Sequence, residues 1–243
     1  MKEEVDLKKI LVINPVADSR WNKTDGDYLK KIARKDTVIE VVNIKKGPKT
    51  IESFYDEAFA LPEILRIARE IKNQYDGIMI NCFADPGLNS AREVCDIPVV
   101  GPGESAIILA SMLGHNFSII SVKKNLIPMF ETKVVSLGLS KRLSSVEYID
   151  IPVSELEDDF CKTEAAIIEV INRTIKQNNT EVAVLGCTGM LSLYSKVAKS
   201  LSIPVVEPAA TALKMLEILI DLGISHSKTG LYMIPDVGKI IGY

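Results

Sequence analysis

The chain has 243 residues, of which 47% are hydrophobic, and this is enough apolar material for a large buried core. The formal net charge is −3 and both signs mix along the chain, which argues against a nucleic-acid binder because such proteins usually carry a basic stripe. The charged N-terminus lacks the apolar segment of a secretory signal, and no apolar run approaches the roughly 18 residues that span a bilayer. We therefore expect a soluble, cytoplasmic protein with neither a membrane nor a nucleic-acid partner.

Strand and helix patterns alternate along the whole chain. Short apolar runs that end at turn residues predict strands, and apolar residues at helical spacing predict the helices between them. The predicted strands cover residues 8–15, 37–44, 77–81, 97–101, 116–122, 145–151, 182–187 and 203–207. The predicted helices cover residues 24–34, 58–75, 86–95, 104–113, 127–137, 161–177, 190–201 and 209–222. This order predicts an α/β fold of βαβ units with mostly parallel sheets.

An internal repeat divides the chain into two similar units. The segments IPVVGP (97–102) and IPVVEP (203–208) are offset by 106 residues, and Cys82 and Cys187 are offset by 105. Each cysteine ends a predicted strand, one helix before an IPVV strand. Because ligands of open α/β sheets bind outside the carboxyl ends of the strands, we expect both thiols to face a ligand-binding crevice. If the two units face each other, that crevice is shared.

The other two cysteines and the histidines do not predict a metal site. The four cysteines form no CxxC pair and the chain has only two histidines, so a zinc site of the usual spacing is not expected. We expect Cys95 and Cys161 to be small buried hydrophobic residues, and His115 to be structural.

The sequence around Cys187 suggests acid–base chemistry. A turn from a strand into a helix places a thiol near free helix N–H groups, which we expect to lower its pKa. Gly186 and Gly189 permit a close approach of the backbone to a ligand, and the Thr188 hydroxyl is placed to cap the helix or bind substrate. Two thiols on opposite sides of a carbon acid can remove a proton and return one to the other face.

At this point the chain resembles the hydantoin racemase branch of the aspartate/glutamate racemase superfamily. The resemblance rests on segments 13–15, 47–64, 81–88, 114–122, 127–131, 186–190 and 204–208. It implies two α/β subdomains with pseudo-twofold symmetry and a cleft between them, formed by residues 1–101 plus 209–243 and by residues 102–208. It also implies catalysis by Cys82 and Cys187 without a cofactor or a metal.

Strand ends beside the expected cleft supply the candidate substrate-binding residues. These are Asn14, Phe83, Ser121, Val122, Thr188 and Gly189. Asn14 is equally consistent with a turn cap before proline, and Phe83 with a core aromatic residue. Val16 and Ala17 stand where the related family commonly has polar residues, which leaves the reaction type better defined than the substrate.

Three further residues lie near the predicted strand ends. We expect Asp85 to cap the helix that follows it rather than to transfer protons. Glu207 is consistent with either a substrate contact or a structural role. Trp21 is expected in the loop after the first strand, as a flap over the cleft.

With the pair of cysteines, the resemblance implies a cofactor-independent racemase of 5-substituted hydantoins or related cyclic ureides such as allantoin, and we expect it to act on a small molecule as a homo-oligomer. Alternatives within the superfamily are an aspartate or glutamate racemase and a maleate-type isomerase. A ligand-binding sensor is a further alternative, although binding alone does not need two opposed thiols. An arylmalonate-type decarboxylase would need only one catalytic cysteine.

Overall fold

Eight parallel strands form two four-stranded sheets in the computed structural model, which describes residues 7–71 and 74–239. The first sheet has the order β2-β1-β3-β4 and contains β1 (Lys8–Asn14), β2 (Thr37–Asn43), β3 (Gly77–Ile80) and β4 (Val99–Val100). The second has the order β6-β5-β7-β8 and contains β5 (Phe117–Ser121), β6 (Leu143–Tyr148), β7 (Val182–Leu185) and β8 (Val205–Val206). The two orders are equivalent, which confirms the expected α/β fold with two similar halves.

Helices connect consecutive strands, as parallel pairing requires. They are α1 (Arg20–Ile32), α2 (Phe54–Glu70), α3 (Leu88–Val94), α4 (Pro102–Leu113), α5 (Ile127–Ser136), α6 (Phe160–Asn178), α7 (Tyr194–Lys199) and α8 (Pro208–Asp221). Short 3-10 turns occur at Lys124–Leu126, Ser140–Arg142, Val153–Glu155, Thr188–Met190 and Val237–Lys239. Proline begins both α4 and α8, where the missing N–H has no helical partner to lose.

The central strands explain the long apolar runs in the sequence. All five C-terminal residues of β1 are buried, as is every residue of β3, β5 and β7. Helices cover both faces of each sheet, so these strands have no solvent-facing side and do not alternate apolar with polar residues.

Helices α4 and α8 join the two halves. Helix α4 follows the first sheet but packs against β7 and β8, whereas α8 follows the second sheet but packs against β3, β4 and α1. The two helices also pack against each other. The assignment of residues 102–208 to one subdomain and the remainder to the other stays a prediction.

Three local expectations were wrong. Trp21 lies in the first turn of α1, not in a loop, because this helix begins at Arg20. The residues after Cys187 form a 3-10 turn, and α7 starts only at Tyr194. Cys95 is buried as expected, but Cys161 is exposed on the first turn of α6. No helix in residues 7–71 and 74–239 is long and apolar enough to cross a membrane.

Candidate active site

A cavity of about 60 Å³ lies where strand ends of the two sheets meet. Its walls are formed by Asn14, Pro15, Val16, Trp21, Asp25, Thr50, Ile51, Asn81, Cys82, Val153, Cys187, Thr188 and Gly189.

Equivalent strands deliver the two cysteines to this cavity. Cys82 lies two residues after the end of β3, and Cys187 lies two residues after the end of β7. Both strands pair with the first strand of their own half, β3 with β1 and β7 with β5. Both cysteines are half-buried and line the same cavity. The structure therefore brings together the two residues that the internal repeat singled out, while their catalytic role stays a prediction.

The surroundings of the thiols favour their protonated form. Burial raises the pKa of the Cys82 thiol far above its usual value, against the opposing effect of the Ala84 backbone N–H. Burial likewise raises the pKa of Cys187 to about 12, against the effect of the Gly189 N–H. The expectation of lowered thiol pKa values was wrong, because one backbone N–H for each sulfur does not offset the loss of solvent.

Acidic side chains near the thiols act in the same direction as burial. The charges of Glu52 and Asp25 further raise the pKa of Cys187, and those of Glu57 and Asp85 raise the pKa of Cys82. The cavity walls, as far as the structure describes the chain, include no lysine, arginine or histidine. A thiolate of either cysteine, or the carboxylate of a bound ligand, would therefore have no cationic side chain beside it among the described walls.

A polar network forms one wall of the cavity. The Asn14 side-chain amide donates to Asp25 Oδ2 at 2.9 Å, and that of Asn81 donates to the same oxygen at 3.0 Å. Asn81 Nδ2 also donates to Asn14 Oδ1 at 2.8 Å. Burial raises the pKa of Asp25 to about 7, although the two amide donors oppose this shift. Asn14 therefore lies at the expected cleft, and its side chain orients a buried carboxyl group.

The remaining walls are largely apolar. Val16 follows β1, Trp21 comes from α1, and Ile51 and Val153 come from loops of opposite halves. Of the two positions that depart from the related family's pattern, Val16 lines the cavity and Ala17 does not.

Thr188 and Gly189 also line the cavity, as expected. Thr188 Oγ1 forms no helix cap but donates to the backbone oxygen of Asn81 at 3.4 Å, across the two halves. Glu52 makes two more such contacts. Its backbone oxygen accepts from Asn125 Nδ2 at 2.6 Å, and its Oε1 accepts from the Val153 N–H at 2.7 Å. Hydrogen bonds thus connect the two halves beside the cavity.

Three predicted substrate-binding residues do not reach the cavity walls. Phe83 is buried and packs edge-on against Phe130, with ring centroids 4.8 Å apart. Ser121 is buried and donates to the Lys123 backbone oxygen at 3.4 Å. Val122 belongs to the apolar core.

Asp85 acts on a different helix from the expected one. Its carboxylate accepts hydrogen bonds from the N–H groups of Gly103 at 2.8 Å and Glu104 at 2.7 Å, which are in the first turn of α4. Lys133 on α5 donates to the same carboxylate at 2.8 Å. The expectation that Asp85 caps the following helix, α3, was therefore wrong. The backbone of Asp85 is left-handed (φ 53°), and its side chain bonds to the start of α4 instead.

Glu207 has a structural role in this arrangement. Its carboxylate accepts from the N–H groups of Ala209 at 2.9 Å and Ala210 at 2.6 Å and so caps α8. The Tyr28 hydroxyl donates to it at 3.2 Å. Glu207 does not line the cavity.

Six cavity residues were not predicted from the sequence: Pro15, Asp25, Thr50, Ile51, Asn81 and Val153. Asn81 directly precedes Cys82, and Thr50 and Ile51 lie in the 47–64 segment that carries the family resemblance. Asp25 had one signal, because its four-residue spacing from Leu29 puts it on the buried face of α1.

Comparison with known proteins agrees with this geometry. The family model described as "Asp/Glu/Hydantoin racemase" matches residues 10–216. The chain belongs to the Asp/Glu/hydantoin racemase family. The class of enzyme expected from the sequence, an isomerase of the racemase type, is therefore confirmed.

Individual members of the family are similar over nearly their full length. A hydantoin racemase from Pseudomonas sp. (strain NS671) is 36% identical over 239 residues, which cover 96% of this chain and 94% of that protein. The allantoin racemase structure from Klebsiella pneumoniae has a TM-score of 0.89 at 33% identity and covers 94% of both chains. The allantoin racemase structure from Pseudomonas fluorescens has a TM-score of 0.92 at 27% identity, with 96% of this chain and 100% of that chain covered.

Proposed function

We propose that the protein is a cofactor-independent racemase of 5-substituted hydantoins or related cyclic ureides such as allantoin, in which Cys82 and Cys187 are the two acid–base groups. The observation that carries this proposal is that both thiols, one from each half, line a single cavity of about 60 Å³. The family relationship and the names of its similar members, hydantoin racemase and allantoin racemase, support it.

The chemistry of the substrate suits a pair of thiols. Loss of the C5 proton of a hydantoin gives a carbanion that delocalises into the adjacent ring carbonyl, and no carboxylate charge opposes it. One thiolate removes this proton while the other thiol donates a proton to the opposite face. Because burial raises both thiol pKa values, each thiolate is a stronger base than an exposed one, although a smaller fraction is ionised at neutral pH.

The cavity walls favour a neutral ring over an acidic substrate. Aspartate, glutamate and maleate carry carboxylates, and the described walls offer Asp25 but no cationic side chain. This disfavours the amino-acid racemase and maleate isomerase alternatives. A binding sensor would have no use for two thiols on one cavity. The absence of a cofactor, the cytoplasmic location and the homo-oligomeric state stay predictions.

Replacement of each cysteine by serine tests the proposal. A serine hydroxyl is too weak an acid to form the base, so Cys82→Ser and Cys187→Ser should each abolish racemisation of a 5-substituted hydantoin, measured by circular dichroism. In D2O the remaining thiolate should still exchange the C5 proton on its own side. The two variants should therefore exchange opposite enantiomers, as followed by NMR.

Cys161→Ser is the matched control, because Cys161 is exposed and lies on another element. It should racemise at the wild-type rate, and the buried Cys95→Ser variant should also stay active if it folds. Near wild-type racemisation by either Cys82→Ser or Cys187→Ser would remove that residue from the mechanism. Exchange of the same enantiomer by both variants would indicate one base instead of two.

A further inference from the structure

We propose that Asp25 is a specificity-determining residue of this site, whose free carboxylate oxygen accepts a hydrogen bond from a ring N–H of the cyclic ureide. The contact would select a neutral ring amide over a substrate that presents a carboxylate. This inference rests on the proposed function, because it names the group that recognises the proposed substrate.

The two oxygens of Asp25 have different surroundings. Oδ2 accepts from both Asn14 and Asn81, whereas no described residue donates to Oδ1. Within residues 7–71 and 74–239, two side-chain oxygens are shielded from solvent and have no hydrogen-bond partner, and they belong to Thr37 and Asn81. Asp25 Oδ1 is not one of these shielded oxygens. Because Asp25 itself is only 5% exposed and lines the cavity, we infer that Oδ1 opens onto the cavity.

The carboxyl group is fixed in place before any ligand arrives. Besides its bond to Asp25, Asn14 Nδ2 donates to Asn22 Oδ1 at 2.9 Å, and Asn22 Nδ2 donates to Asn43 Oδ1 at 3.0 Å. This chain of amides connects α1 to the ends of β1 and β2, so the carboxyl group has little freedom to lose on binding. Because a fixed acceptor loses little side-chain entropy on binding, more of the hydrogen-bond free energy contributes to affinity.

The chemistry of the open oxygen determines which ligand it favours. A hydantoin ring has two N–H donors, N1–H next to the reacting carbon and N3–H between the two carbonyls. A hydrogen bond from N–H to a carboxylate is roughly twice as strong as one between neutral groups. A substrate carboxylate would instead meet like charge in a cavity whose described walls have no cation. Sites that bind an N–H discriminate strongly against analogues that lack it.

The test compares substrates that keep or lose each ring N–H. A 5-substituted hydantoin and its 1-methyl and 3-methyl derivatives are assayed for kcat and KM with the wild type, Asp25→Asn and Asp25→Ser. With the wild type, one of the two methyl derivatives should lose about tenfold or more in kcat/KM through a higher KM. In both variants the KM of the parent hydantoin should rise. The ratio of kcat/KM for the parent to kcat/KM for that derivative should shrink by about the factor by which the wild type discriminates between them.

The ratio separates recognition from a general structural effect. The added methyl group also has bulk, but Asn has the shape of Asp, so this steric penalty is common to the wild type and Asp25→Asn and cancels when their ratios are compared. A merely structural role for Asp25 would lower the activity on all three compounds together. Asp27→Asn is the matched control, because Asp27 is exposed on the same helix and its ion-pair partner is Lys23. The ratio for this variant should match that of the wild type.

The outcomes distinguish this inference from the proposed function. An unchanged ratio in both variants, or no loss with either methyl derivative in the wild type, would overturn the role of Asp25 and leave the racemase proposal intact. A wild type that racemises no hydantoin would instead overturn the proposed function.

If neither variant folds, as judged by circular dichroism, the wild type alone still provides a test. Asp25 is an N–H acceptor when ionised, and its pKa is raised to about 7, chiefly by burial and also by the charges of Glu157 and Glu207. The KM of the parent should therefore fall between pH 6 and pH 8, relative to that of the discriminated methyl derivative. Parallel pH dependence of both values would contradict the proposal.

Discussion

Asp85 fixes the loop that presents Cys82. It lies three residues after the cysteine, and its buried carboxylate bonds to the first turn of α4 and to Lys133 on α5. Its side chain is 1% exposed and that of Lys133 is 16% exposed. A buried ion pair whose carboxylate has further hydrogen bonds is costly to break, because removal of one partner leaves the other charge unpaired.

We expect Asp85→Asn to lower the free energy of unfolding by about 3 kcal/mol, because the variant removes the ion-pair partner of the Lys133 ammonium. Urea denaturation followed by circular dichroism measures this change. Lys133→Met is the comparison variant, and its loss should be smaller because two backbone N–H groups still stabilise the Asp85 carboxylate. A loss below about 1 kcal/mol for Asp85→Asn would show that the pair contributes no more than an exposed one.

Individual residues were predictable where the repeat or a strand end marked them. Cys82, Cys187, Asn14, Thr188 and Gly189 all line the cavity. The direction of the thiol pKa shifts was not predictable, because local sequence gives the backbone N–H groups near a sulfur but not how much solvent the other half of the molecule removes. The role of Asp85 depends in the same way on α4 and α5, which are distant in the sequence.

At the scale of elements, the contact between the Cys82 loop and the start of α4 requires glycine at one position. A Cβ atom on Gly103 would lie 2.0 Å from the Phe83 backbone oxygen and 2.8 Å from Asp85 Oδ2. Neither atom belongs to a flexible side-chain end, so the loop or the helix must move to admit a methyl group.

We expect Gly103→Ala to displace the loop that contains Cys82 and so to lower both stability and racemisation, the latter by about tenfold or more. Thermal unfolding and the circular dichroism assay measure the two effects. Gly230→Ala is the control, because a Cβ at that position meets no atom within 4 Å. Wild-type activity in Gly103→Ala would mean that the loop position does not matter for catalysis.

In the described part of the chain, all eight strands and all eight helices were predicted in their correct order, because the apolar runs of buried parallel strands contrast clearly with helical spacing. Their ends were less predictable. The start of α1 has no side-chain cap to mark it. The start of α2 did have a signal, since Ser53 accepts from the Asp56 N–H, and this Ser-x-x-Asp pattern resembles a capping box that the apolar spacing alone does not reveal.

At the scale of the whole molecule, the burial of both thiols predicts the pH dependence of the rate of racemisation. A thiol with a raised pKa is almost fully protonated at neutral pH, so its thiolate fraction rises about tenfold per pH unit until the pKa is reached. We therefore expect log kcat/KM to rise with a slope near one between pH 8 and 9, above the range in which Asp25 ionises, measured with a hydantoin whose N–H groups do not ionise in this range. A profile that is flat from pH 6 to 9 would contradict the raised pKa values, provided that circular dichroism shows an unchanged fold throughout.

The hydrogen bonds of Glu52 and Thr188 between the halves have a consequence for turnover. If these bonds part, the two halves can separate and the entrance to the cavity of about 60 Å³ widens. Opening also readmits water to the sulfurs and returns their basicity towards that of ordinary thiols. In the closed protein each thiolate is therefore rare but strongly basic, whereas in an opened one a larger fraction of less basic thiolate would be exposed to oxidants.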